Sequence, residues 1–312
     1  MIRRELSRCD VVHGQDSSSF PILGLCRRFG PSLPWVITFH TNPQAELRLA
    51  LSSFLRGGSL SDLATYAIGF PLWDLTVREH LRQVDSLVAV SESLRDELCD
   101  GYRVDRQKMV AIPTCINADR LRSFSETYRV RYHNSAVHLF YAGRLYYRKG
   151  IMTLVKSIRH LLYDLRVSNF ELRVFGTGPL YKALASYVRQ NGLEAHVKLR
   201  GFVPRRTLLG EMIASDIVCV PSMYEACPLT MLEAMSLGKP VVAFDLPFSR
   251  EILGRDSGLL CKDSLDFARK LAQLIESSYD RNRHGRKVES QAKRFDASVI
   301  AKMYHRMYTS CQ

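Results

Sequence analysis

Short runs of β-branched and aromatic residues alternate with longer segments of helical period along this 312-residue chain. That alternation is the signature of a doubly wound parallel sheet covered by helices. Asp10-Val11-Val12-His13 reads as a strand end, followed by polar residues and a helical stretch to about Phe29. Trp35–Phe39 is a second strand, and residues 44–84 read as helices broken at Gly57-Gly58-Ser59. Ser86–Val90 and Met109–Pro113 supply two more strands. Residues 117–136 are polar and arginine-rich, the composition of a linker. From Val137 the alternation restarts, with strands predicted at 137–142, 171–175, 196–200, 217–220 and 240–244. Helices are predicted at about 150–163, at 179–191, after Pro204, around Pro228, at Pro247, and over 264–278 and 297–309. The expected organisation is a partial first domain over 1–116, a linker over 117–136, a second domain over 137–290 and a terminal helix within 291–312.

Composition narrows the class. Hydrophobic residues make up 46% and charged residues 24% of the chain, as in an ordinary globular protein. No apolar run approaches the roughly 18 residues needed to span a bilayer, and no signal-peptide pattern is present in the sequence. The eight cysteines are scattered without C-x-x-C spacing, which argues against structural zinc and for a reducing compartment such as the cytoplasm. The net charge of +13 favours anionic partners, whether nucleic acid, acidic lipid or a phosphorylated substrate. No nucleic-acid recognition module is visible, so nucleic acid is not expected as a partner.

Candidate chemistry collects where strands end, because ligands of open α/β sheets bind beyond the carboxyl ends of the strands. Gly143-Arg144-Leu145 follows strand 137–142, and Lys149-Gly150 opens the next helix. An arginine fork and a mobile lysine across one strand-to-helix loop make a diphosphate clamp, although a solvated loop explains either alone. Gly176-Thr177-Gly178-Pro179 follows strand 171–175, where glycines permit a tight turn and close approach of backbone to a ligand. A plain turn explains it equally well.

The third feature is the run EACPLTMLE, residues 225–233. Pro228 suits the first turn of a helix, which leaves Glu225 in the preceding loop and Glu233 about 7.5 Å further along the helix axis. A helix start suits a phosphate. An acid before it can accept from sugar hydroxyls, and an acid in the second turn can grip a ribose diol. The bland alternative is a solvent-facing Glu233 and a cap-region Glu225. His13 and His40 each follow a strand in the first half. There is no H-E-x-x-H or EF-hand pattern.

In order, DVVHGQ, VITFHTN, AGRLYYRKG, VFGTGPLYKAL, EACPLTMLEAMSLGKPVVAFD and RFDASVIAKMYHRMY resemble segments of the retaining glycosyltransferases of family 4. The resemblance covers nearly all of 10–310 and is strongest from Phe140 to Phe248. It implies an α/β fold of two Rossmann-like domains facing a cleft (GT-B), with the terminal helix crossing back to the first domain. The implied reaction moves a sugar from a nucleoside-diphosphate sugar to an acceptor hydroxyl with retention of configuration, without a metal or other cofactor. Glu225 and Glu233 take the places of the family's two E-x7-E acids. Arg144 and Lys149 are expected to bind the donor diphosphate, Glu225 the sugar hydroxyls and Glu233 the ribose. His40 is expected near the reacting carbon of the sugar. Gly143, Gly176 and Gly178, with Ala226, Cys227, Pro228, Leu229 and Thr230 at the helix start, complete the expected donor site. The family's usual opening strand and glycine-rich loop are not found before residue 10, so the first domain is expected to be shortened. A non-catalytic or incomplete nucleotide-sugar-binding protein acting in a complex is therefore the alternative function. Family acceptors often lie at membranes, so peripheral association with an anionic membrane is also expected.

Overall fold

The computed structural model describes residues 8–16, 33–55, 60–128, 135–254 and 259–310. The helical stretch expected up to Phe29 and the break at Gly57-Gly58-Ser59 lie outside the described residues. The chain forms two compact units, Met1–Thr114 with Ser298–Gln312, and Cys115–Ala297.

The first unit holds four parallel strands, β1 (Val12–Gln15), β2 (Trp35–Phe39), β3 (Ser86–Ala89) and β4 (Met109–Ala111), side by side in chain order. Strands that step in one direction place right-handed crossovers on the same face of the sheet. Helices Pro43–Leu55 and Leu60–Gln83 connect β2 to β3, and Glu92–Tyr102 precedes β4. Helix Ala297–Ser310 supplies a further cover: its Ile300 and Met307 are buried with Val36, Val88 and Ile112.

His13 fastens that helix to the sheet. Its Nδ1 lies 2.5 Å from the Tyr308 hydroxyl and its Nε2 2.8 Å from Thr38 Oγ1, while the Tyr304 ring packs 5.6 Å away. Burial, and then the nearby His40, push the His13 imidazole below its ordinary value. The folded state therefore prefers neutral His13, whereas the unfolded chain takes up its proton near pH 6.5. Below that pH the unfolded state binds more protons, so stability is full above about pH 6.5 and falls with acidification. His13→Asn is expected to flatten the acid limb of this unit's melting temperature measured between neutral pH and about pH 5. An unchanged limb would remove His13 from that role.

The second unit contains six parallel strands: β5 (Val137–Ala142), β6 (Phe170–Phe175), β7 (Val197–Gly201), β8 (Ile217–Val220), β9 (Val241–Phe244) and β10 (Leu259–Cys261). Their order is β10-β9-β8-β5-β6-β7. Buried apolar cores cover both faces, which is why these strands read as nearly continuous apolar runs. In helix Ile151–Arg159, Ile151, Leu154, Val155 and Ile158 form one buried stripe at spacings of three and four.

Three parts of the sequence reading need correction here. The stretch 117–136 is not simply a linker: Ala118–Thr127 is a helix of the second unit. Asn117 caps it by accepting from the Arg120 amide at 2.8 Å, and Leu121 is buried in the core. Strand β10 and helix Ser278–Ala292 were not anticipated. Finally, Ala292 and Phe295 are buried in the second unit's core, so that unit runs past residue 290 to Ala297.

Candidate functional site

In an open parallel sheet, crossovers diverge where the strand order reverses, which opens a crevice beyond the carboxyl ends of those strands. In the second unit the reversal falls between β5 and β8. Their following loops, residues 143–150 and 221–228, therefore border the crevice.

The two loops are tied to each other. The Met223 amide donates to the Arg148 carbonyl at 2.8 Å. Gly150 has φ +66°, and a Cβ there would stand 1.7 Å from the Pro221 carbonyl oxygen. Only glycine lets the β5 loop enter helix Ile151–Arg159 so close to the β8 loop. Lys149 Nζ then pairs with Glu225 Oε1, and Ser222 Oγ donates to the same oxygen at 2.8 Å. The lysine and glutamate side chains are 23% and 11% exposed. The ammonium offsets the enclosed negative charge, and its other N–H donors are available to an anion. Tyr141, at the end of β5, is buried; burial and then the Glu225 charge push its phenol well up, so it remains neutral.

The glycine turn after β6 supports this arrangement. Gly176 has φ +124°, and a Cβ there would stand 2.0 Å from the Gly143 carbonyl oxygen. Beside it, the Leu145 amide donates to Thr177 O at 2.9 Å and the Leu180 amide to Leu145 O at 3.0 Å. The close approach granted by the Gly176–Gly178 turn is thus to the Gly143–Leu145 loop.

Arg144 is not drawn into the Lys149–Glu225 pair. Its Nη2 donates to the Tyr146 hydroxyl at 2.8 Å, with the guanidinium 4.7 Å from the ring centroid. Helix Leu229–Ser236 starts one residue later than the proline placement predicts, because Pro228 is extended at φ −71°, ψ 116° and precedes the first turn. Glu225 lies in the loop and Glu233 in the helix. Ala226 is buried, Cys227 and Thr230 are half-buried, and Leu229 is exposed. The first amides of such a helix lack intrahelical partners.

Glu233 pairs with Arg205, the first residue of helix Arg205–Ala214. Both line a cavity of about 710 Å³, together with Asn117, Arg120 and Phe124. Sequence reasoning missed Arg205 as a site residue. The usable signal was its position just beyond the end of β7, after Pro204.

His40 belongs to the first unit, directly after β2. It is exposed; its Nε2 lies 2.8 Å from Gln15 Oε1, and its amide donates to Asp16 Oδ1 at 2.7 Å. Among the described residues, no group of three or more His, Cys, Asp or Glu side chains could hold a metal ion. No helix among them is long and apolar enough to cross a membrane.

Residues 133–291 match the family described as Glycosyl transferases group 1, and residues 1–120 match Glycosyltransferase Family 4. An uncharacterized glycosyltransferase of Methanocaldococcus jannaschii is 30% identical over 184 residues, which cover 56% of this chain and 46% of that protein. The alpha-monoglucosyldiacylglycerol synthase of Streptococcus pneumoniae is 24% identical over 315 residues, 96% of this chain and 66% of that protein. This chain therefore spans about half to two thirds of these two relatives' lengths. Among solved structures, Anabaena HepE in complex with UDP and glucose aligns with a TM-score of 0.75 at 17% identity. That alignment covers 99% of this chain and 81% of HepE. Two Rossmann-like α/β units of the GT-B fold, and a family match over more than half its length, show that the chain belongs to the glycosyl transferases group 1.

Proposed function

We propose that this chain transfers a sugar from a nucleoside-diphosphate sugar to an acceptor hydroxyl, with retention of anomeric configuration. The observation that carries the reading is the Lys149–Glu225 pair at the strand-order reversal, between two loops locked together at Gly150. Lys149 and Arg144 stabilise the negative charge that grows on the departing diphosphate. Glu225 accepts from sugar hydroxyls and Glu233 from the ribose diol, while the start of helix Leu229–Ser236 receives phosphate oxygens. The bond from the anomeric carbon to the diphosphate breaks, the acceptor oxygen bonds to that carbon, and the acceptor proton passes to the departing diphosphate or to water. Glu225 is already held by Lys149 and Ser222, which suits sugar binding better than a nucleophile's role. His40 is assigned to the sugar by the resemblance alone.

The acceptor side of the reading draws on the first unit. Leu51, Phe54 and Leu55 lie at spacings of three and four on one helix, and Ile68 and Leu75 seven apart on the next. All five are exposed, Leu55 at 83% and Ile68 at 82%. With a chain of net charge +13, such stripes suit peripheral contact with an anionic membrane. The name of the streptococcal relative, a synthase of the glycolipid alpha-monoglucosyldiacylglycerol, points the same way.

The test incubates the full chain with UDP-, GDP- and ADP-sugars, and with acceptors offered free or in phosphatidylglycerol vesicles. The expected result is release of nucleoside diphosphate matched by product, with the anomeric configuration of the donor seen in proton NMR. An inverted product overturns retention. Tight donor binding without transfer to any acceptor points instead to a binding-only protein. Failure to cosediment with the vesicles removes the membrane contact.

A further inference from the structure

Glu233 and Arg205 form an unequal pair. The carboxylate side chain is 5% exposed and the arginine 62%, so a surface guanidinium reaches inward to a buried acid. An uncompensated buried carboxylate is costly, and Arg205 is the cation that offsets this one. Lys149 is engaged by Glu225 instead. The contact runs from Arg205 Nη2 to Glu233 Oε1. A carboxylate has about four acceptor positions on two oxygens, so this single contact fixes its direction and leaves positions open. Both residues line the cavity of about 710 Å³, which has room for a nucleoside.

From this geometry we propose that Arg205 is a positioning residue for ribose recognition. It orients the Glu233 carboxylate toward the cavity and thereby makes the site select ribose over 2′-deoxyribose. The inference rests on the assignment of Glu233 to the donor ribose. Without Arg205, the carboxylate turns to whatever polar group or water is nearest, and the two ribose hydroxyls meet no prepared acceptor. A 2′-deoxyribose brings one hydroxyl fewer, so it loses less from the change.

Calorimetry on the full chain with UDP, GDP and ADP, each beside its 2′-deoxy counterpart, reads this without any transfer reaction. For the preferred base, the unmodified protein is expected to bind the ribonucleotide about tenfold or more tightly than the deoxynucleotide, the weight of one hydrogen bond to a charged group. In Arg205→Ala the ratio is expected to fall within about threefold, chiefly through weaker ribonucleotide binding, and Arg205→Lys recovers part of it. Glu233→Gln is expected to lose the same selectivity, and the double variant no more than either single one. In steady state Arg205→Ala raises the donor KM and leaves kcat nearly unchanged, as expected for binding energy common to ground and transition states. Retention of the full ribose preference in Arg205→Ala overturns the inference and leaves Glu233 as the ribose contact. Absence of any ribose preference in the unmodified protein overturns the Glu233 assignment and the inference with it. Arg205→Ala strands the buried Glu233 charge and is expected to melt lower. Arg205→Lys keeps a cation and Glu233→Gln removes the charge, so these two keep the test readable, and thermal melts check that each variant is folded.

Discussion

Lys149→Ala is expected to lower kcat for sugar transfer by about 10²–10³-fold, the range seen when one preorganised donor to developing charge is removed. Lys149 is a cation held at the strand-order reversal, and on the proposed reading it faces the departing diphosphate. The substitution also leaves Glu225 enclosed at 11% exposure without its cation, held by the Ser222 hydroxyl, so stability falls as well. A second variant separates the two effects. Lys149→Ala with Glu225→Gln removes the stranded charge and is expected to regain most of the melting temperature while transfer stays low. Wild-type turnover in well-folded Lys149→Ala, measured as nucleoside diphosphate released with product, would falsify the assigned role.

Gly150→Ala is expected to destabilise the second unit strongly. Its φ of +66° is a left-handed conformation, which costs an L-residue about 1–2 kcal/mol. The added Cβ would also stand 1.7 Å from the Pro221 carbonyl oxygen, a backbone atom that cannot rotate away. Overpacking of this kind costs about 1–3 kcal/mol, which makes roughly 2–5 kcal/mol in all. For a unit of this size that lowers the melting temperature by roughly 5–15 °C. Gly201→Ala is the control: its φ is +68°, but nothing lies within 4 Å of its Cβ position, so only the backbone cost remains. Equal melting of the two variants would show that the approach of the β5 and β8 loops carries no special strain. Separation of those loops also displaces Lys149 from Glu225, so donor affinity should fall with stability in Gly150→Ala alone.

The alternation of apolar runs located most strands within a residue or two, because strands buried on both faces carry an unbroken apolar signal. The parts left out have weak signals for physical reasons. Strand β10 spans only Leu259–Cys261, too short for a pattern to emerge. Helix Ser278–Ala292 buries just Gly285, Val288 and Ala292, and its charged remainder reads as a loop. In helix Ala118–Thr127 only Leu121 is buried, so its polar composition resembles that of a linker. The placement of Glu225 before a helix and Glu233 inside it was legible, because proline fixes where a helix can start. The partners of those two acids were not. Lys149 and Glu225 are 76 residues apart and meet only because β5 and β8 are neighbours, a fact of sheet order rather than of local sequence. Arg205 reaches Glu233 across 28 residues from the end of another strand, and no local spacing announces that contact.

Helix Ala297–Ser310 gives the chain an order of assembly on the ribosome. The second unit is one uninterrupted stretch, so everything it needs has been synthesised once Ala297 emerges. The first unit is split, and the side chains of Ile300 and Met307 that cover Val36 and Val88 are made only after the whole second unit. Domains generally fold as units during synthesis. The half translated first must therefore wait, with part of a sheet face uncovered, and is completed last.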